Sequence, residues 1–271
     1  MGSFKVRGAY HAILRHKQRG TLRGVVTSST GNHGAGVAYA AKLLGVPARV
    51  YLPQNPNPVK RAHIAAQGAE IIEAGEFLEA ERELAEQFAK DSGWFNIVDG
   101  VEPEMLPGTA TIGCEILEQV PDADAVFVPV GDSTLIRGVA FAVKQLRPAA
   151  KIIGVQAERA PAYALAFREG RAISTESSDT IADGLAVRHA SEENVREIAA
   201  LVADFTVVSE EEMLAAVRKL ILDEHVVAEP SGAASTAALL KSGNAYAGKT
   251  VVLLVTGANI PEQQLHRALL S

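Results

Sequence analysis

Four stretches of this 271-residue chain carry side chains able to do chemistry. The first is Ser3-Phe4-Lys5-Val6-Arg7-Gly8-Ala9. A lysine amine at the start of a helix, behind a small residue and an aromatic one, is suited to holding an aldehyde as a Schiff base. The second, Ser28-Ser29-Thr30-Gly31-Asn32-His33-Gly34, sets hydroxyls, an amide and backbone N–H groups where a helix begins. Such a turn suits a carboxylate or a phosphate. The third is Gly131-Asp132-Ser133-Thr134-Leu135, whose hydroxyls can cap a helix and also donate to a phosphate. The fourth is Thr256-Gly257-Ala258-Asn259. Taken one at a time, each turn is also explained by ordinary capping, His33 by a structural hydrogen bond, and Lys5 by a surface position. Neither G-x-G-x-x-G nor a Walker A run occurs at these turns, so a nucleotide fingerprint is missing.

The turns need elements to hold them, and the chain alternates short β-branched runs with amphipathic stretches. Strands are predicted over Gly24–Ser28, Ala48–Leu52, Ala69–Ile72, Ala125–Val130, Lys151–Gln156, Phe205–Val208 and Thr250–Thr256. Helices are predicted over Gly34–Leu44, Val59–Gln67, Phe77–Lys90, Thr109–Gln119, Leu135–Leu146, Ser191–Leu201, Glu210–Leu222 and Gly232–Leu240. Apolar strands joined by helices give an α/β fold with mostly parallel sheets, covered by helices on both faces. Each chemistry-bearing turn after the first stretch follows a predicted strand, the place where ligands collect in such sheets. Pro103–Gly108 is the expected crossing between two lobes, following a strand-like Phe95–Val98.

Composition narrows the function classes. Apolar residues make up 48% and charged residues 21%, the mix of an ordinary globular protein. A net charge of -6 argues against nucleic acid or an anionic membrane as main partner. Cys114 is the one cysteine, which excludes an intrachain disulfide and a cysteine zinc cluster. Apolar runs such as Thr250–Val255 are too short to span a bilayer, and no signal peptide is evident, so a cytoplasmic location is expected.

In sequence order, these motifs together with Val128-Pro129-Val130-Gly131, Thr180-Ile181-Ala182-Asp183-Gly184 and Glu229-Pro230-Ser231-Gly232-Ala233 resemble the fold-type II pyridoxal-phosphate enzymes. Within that group the chain looks most like serine/threonine dehydratases and serine racemases. The resemblance implies two α/β lobes: a small one over 24–104, and a large cofactor-binding one from 1–23 and 105–271. It implies pyridoxal 5'-phosphate bound through Lys5, with Phe4 beside its ring and Asn32 on its phenolic oxygen. Ser29, Thr30, Gly31 and His33 would clasp the substrate carboxylate. Gly131, Asp132, Ser133, Thr134 and Leu135 would hold the 5'-phosphate, and Thr256 would face the pyridine nitrogen. The implied reaction is β-elimination from serine, threonine or a related β-hydroxy amino acid, with Lys5 as base. The freed amine takes the Cα proton, which the conjugated ring makes acidic. A homodimer is implied as well. Amino-acid racemisation, a threonine synthase-like β-replacement and a non-catalytic cofactor-binding homologue stay open as alternatives.

The chain departs from that pattern in four ways. Asp132, Ser133 and Thr134 stand where the family has a run of glycines; Arg137 compensates the carboxylate, or Asp132 points outward. Gln156 and Ala162 stand where acidic residues bind a divalent cation in some relatives, so no metal is expected. Thr30 takes the position of a racemase serine, with acid–base work on the second face of Cα or helix-start hydrogen bonding as its two roles. Finally, the family carries a few dozen residues ahead of its Schiff-base lysine, so the chain is expected to lack the usual N-terminal segment. No regulatory domain is expected after Ser271.

Overall fold

The computed structural model describes residues 1–20, 22–29, 31–54, 56, 58–74 and 78–270; Thr30 and Phe77, both named above, lie outside them. Contacts divide the chain into two compact units, Met1–Gly108 and Thr109–Ser271.

The first unit contains α1 (Lys5–Gln18), β1 (Val25–Ser28), α2 (Asn32–Leu44), β2 (Ala48–Leu52), α3 (Pro58–Ala65), β3 (Glu70–Glu73), α4 (Leu78–Ser92) and β4 (Phe95–Asn96). Its four strands form one parallel sheet in the order β3-β2-β1-β4. Strand β1 therefore pairs on one side with the strand that follows it and on the other with the last of the set. Ala9, Ala12 and Ile13 of α1 share an apolar cluster with Val37, Ala40 and Ala41 of α2. That packing seats α1 in the first unit, whereas the sequence reading grouped residues 1–23 with the larger lobe. The approach is close: a Cβ on Gly36 would lie 3.0 Å from the Lys5 carbonyl carbon and 3.0 Å from Val6 N.

The division of the chain falls within α5 (Leu106–Gln119). The second unit then holds β5 (Ala125–Pro129), α6 (Thr134–Leu146), β6 (Lys151–Ala157), α7 (Ala162–Glu169), β7 (Ile173–Ser174), β8 (His189–Ala190), α8 (Glu192–Leu201), β9 (Asp204–Val208), α9 (Glu210–Glu224), α10 (Pro230–Lys241), β10 (Val251–Leu253) and α11 (Glu262–Leu270). A second parallel sheet runs β10-β5-β6-β9, and β7 pairs antiparallel with β8. Every residue of β5 is buried, and all but the first of β6, as helices on both faces require. Helix α9 opens on a reciprocal cap: Ser209 Oγ accepts from Glu212 N, and the Glu212 carboxylate accepts from Ser209 N.

The predicted strands and helices appear with ends shifted by a few residues. The last predicted strand, Thr250–Thr256, shortens to Val251–Leu253. Beyond it, Gly257 O accepts from Glu229 N at 2.9 Å, so the chain turns from the sheet toward the start of α10. Helices α7 and α11 and the β7–β8 pair were not predicted. They span eight, nine and two residues per element, too little for a periodic apolar pattern to stand out.

Candidate active site

In the first unit, the chemistry gathers at the carboxyl ends of β1 and β4, where the strand order reverses direction from the first strand. Lys5 is the first residue of α1, and its side chain is 13% exposed. Its Nζ lies 5.0 Å from the centre of the Phe4 ring, within reach of a cation–π contact. The ammonium also donates to Asp99 Oδ2, while Asp99 Oδ1 accepts from Gly100 N at 2.9 Å. Asp99 is buried, three residues past the end of β4.

The turn after β1 opens α2. Ser29 is buried, and its Oγ accepts from Gly31 N at 3.2 Å, which leaves the hydroxyl hydrogen to donate elsewhere. Asn32 and His33 are the first two residues of α2, whose leading N–H groups lack helical acceptors. His33 is buried with Nε2 3.1 Å from Ile97 O. Burial pulls its pKa below the ordinary 6.5, nearby Asp99 opposes that, and Lys5 adds to it. In the resulting neutral ring Nε2 is the donor to Ile97, so Nδ1 is an acceptor, and it has no partner among the described residues. With its N–H given to Ile97 O, the neutral imidazole of His33 has no donor left to offer at this turn. Lys60 of α3 is buried over the same turn: a Cβ on Gly31 would lie 3.2 Å from its Nζ.

In the second unit, the turn after β5 is fixed by backbone packing. A Cβ on Gly131 would lie 2.2 Å from Gly184 O, a position only glycine can fill. Gly184 N donates to Ser231 Oγ at 2.9 Å, which ties the Thr180–Gly184 and Glu229–Ala233 motifs to this turn. Ser133 precedes α6 with φ 72, and its buried Oγ has no hydrogen-bond partner among the described residues. Thr134 and Leu135 are buried, with Thr134 O accepting from Thr109 Oγ1 at 3.0 Å, while Gly131 and Asp132 are half-buried. A buried, unpartnered hydroxyl at the start of a helix is chemistry that fits a phosphate. Arg137 Nε reaches Glu197 at 2.7 Å. Thr256 follows β10, the neighbour of β5 on the side away from β6, and is half-buried.

Gln156 has a structural task. Its Nε2 donates to Val130 O at 3.3 Å and its Oε1 accepts from Ala164 N at 2.8 Å, pinning α7 to the end of β5. The sequence reading missed Asp99 and Lys60. For Asp99 a signal was present: a polar residue followed by glycine at the end of a strand-like run, the same pattern as in the three turns that were singled out.

Each unit is thus built on a parallel sheet with glycine-bearing, helix-start turns at its strand ends, and the first also holds a largely buried lysine: an α/β class of fold. The chain belongs to the family described as "Pyridoxal-phosphate dependent enzyme", which matches residues 1–257. It is 36% identical over 266 residues to L-threonine ammonia-lyase of Thermotoga maritima, covering 98% of this chain and 66% of that relative. It thus spans just under two thirds of that relative's length. Among solved structures it resembles the processed form of threonine deaminase isoform 2 from Solanum lycopersicum (TM-score 0.93, 31% identity, 98% of this chain and 78% of that one). It also resembles maize serine racemase (TM-score 0.91, 31% identity, 99% and 83%). Among the described residues, no helix is long and apolar enough to cross a membrane.

Proposed function

We propose that the chain is a lyase that uses pyridoxal 5'-phosphate to convert serine, threonine or a related β-hydroxy amino acid into a 2-oxo acid and ammonia. The observation that carries this reading is Lys5, a largely buried amine at the first turn of α1 that meets a carboxylate at a strand end. The similarity to a threonine ammonia-lyase and a threonine deaminase supports it. The cofactor, when bound, supplies an electron sink for the charge left as Cα loses its proton.

The chain's own residues do the rest. Lys5 would carry the cofactor, and its Nζ, once released, takes the Cα proton. Ser29 and the backbone N–H groups of Asn32 and His33 hold and orient the substrate carboxylate, with Thr30 and Gly31 in the same loop. The Asn32 amide would hydrogen-bond the cofactor's phenolic oxygen and Phe4 would lie beside its ring. Gly131, Asp132, Ser133, Thr134 and Leu135 would hold the phosphate, with the Ser133 hydroxyl as donor. Thr256 is neutral, so it would hydrogen-bond the ring nitrogen without fixing a proton there as a carboxylate does. A homodimer and a cytoplasmic location belong to the same proposal; the lone cysteine suits a reducing compartment.

The test is a visible spectrum of the purified chain with added pyridoxal 5'-phosphate, followed by serine and then threonine while 2-oxo acid is measured. A new visible band that is absent in Lys5→Ala, with 2-oxo acid release, is the expected result. No band in the unaltered chain, or a band that survives Lys5→Ala, overturns the site. A band with D-amino acid but no oxo acid identifies a racemase, and a band with neither product a non-catalytic binder. Elution at twice the 28.6 kDa chain mass would support the dimer.

A further inference from the structure

We infer that Asp99 is a positioning residue for Lys5: its carboxylate aims the ε-amine and, by stabilising the ammonium, sets how strongly that amine takes up a proton. The inference rests on the role given to Lys5 above, and the pairing on which it stands is separate from any turnover. Asp99 Oδ2 accepts from Lys5 Nζ, and the two side chains are 6% and 13% exposed. Asp99 is itself held, because Oδ1 accepts from Gly100 N at 2.9 Å. The pair joins residues 94 apart in sequence, brought together where β4 lies beside β1.

The physical reason is direct. A buried amine is a weak base, because burial disfavours its charged form. A carboxylate in contact restores the stability of the ammonium and so strengthens the amine as an acceptor of the Cα proton. The proton passes from the substrate carbon to Lys5 Nζ, is held there by the hydrogen bond to Asp99 Oδ2, and is then given to the β-hydroxyl as it leaves as water. Other ionisable groups act at the same place. His33 on α2 feels both Lys5 and Asp99, and Arg82 on α4 acts on His33. Burial keeps His33 neutral, so it adds no second cation beside Lys5 and Asp99.

The first experiment uses the full chain without added cofactor. Lysine acylation is followed by peptide mass spectrometry across pH in the unaltered chain, Asp99→Asn and Asp99→Glu, each checked for native circular dichroism. The midpoint for Lys5 should fall by about 1–3 pH units in Asp99→Asn and return toward the unaltered value in Asp99→Glu. Equal midpoints in the unaltered and Asp99→Asn chains overturn the inference. Should Asp99→Asn fail to fold, the unaltered chain decides by lysine-selective proton–nitrogen NMR. A Lys5 ammonium signal that moves as a carboxylate titrates supports the pair; one that ignores acid titration, or is absent at neutral pH, overturns it. With the cofactor loaded, Asp99→Asn should move the acid limb of kcat to lower pH and reduce plateau kcat with KM little changed. A chain that shows the midpoint shift but releases no oxo acid keeps Asp99 as partner of Lys5 and loses the lyase reading. A chain that releases oxo acid without the shift loses only Asp99.

Discussion

His33 shows how burial converts a candidate ligand into a neutral acceptor. Its folded pKa lies below the ordinary 6.5, chiefly because burial disfavours the imidazolium. Above about pH 6.5 the ring is neutral whether the chain is folded or not, so no stability depends on it. As pH falls below that value the unfolded chain takes up a proton that the folded chain resists, and stability drops. Thermal melts at pH 7.5 and 5.5 should therefore show a larger loss for the unaltered chain than for His33→Asn. Equal losses would mean that the ring protonates without cost. The sequence showed that a histidine stood in the turn. It did not show that Ile97, 64 residues away, takes its proton donor.

Elements place these residues by how closely their backbones approach. Helix α2 is rich in small buried residues, among them Gly34, Ala35, Gly36 and Ala38, and this lets the start of α1 lie on it. Gly36→Ala would push a methyl to 3.0 Å from the backbone of Lys5 and Val6, and backbone cannot step aside as a flexible side chain does. The chain should remain folded, with a stability loss of about 1–3 kcal/mol, while the visible band formed with pyridoxal 5'-phosphate weakens because Lys5 is displaced. An unaltered band would show that α1 accommodates the methyl elsewhere. Local signals carried most of the element pattern: β-branched runs marked β5 and β6. Those signals fade over the eight residues of α7, which is fixed by Ala164 N donating to Gln156 Oε1 while Gln156 Nε2 holds Val130 O.

Across the whole molecule, two separate parallel sheets each have their first strand inside the sheet. This creates a reversal in strand order beside β1 and another beside β5. The turns with candidate chemistry after β1 and β5, and the residues Asp99 and Thr256 after β4 and β10, all fall at those reversals. The second unit is organised around Phe127, a fully buried ring on β5 that meets Tyr246 edge-on at 5.1 Å. Phe127→Ala should cost about 3–5 kcal/mol, since the surrounding strands and helices cannot close the gap, and lower the urea midpoint followed by far-UV circular dichroism. An unchanged midpoint would contradict the packing described for this sheet.

By itself the sequence determined the α/β class, the order of the motifs and the residue types at each turn, because capping, strand alternation and glycine-bearing turns are written in neighbouring residues. Tertiary structure decided which of those residues meet. Asp99 joins Lys5 only because β4 pairs with β1, and Gly131 is indispensable only because Gly184 O lies against it. His33 turns its donor toward Ile97 for the same kind of reason. Strand order and close backbone approach depend on contacts between residues dozens of positions apart, and no local pattern of side chains specifies them.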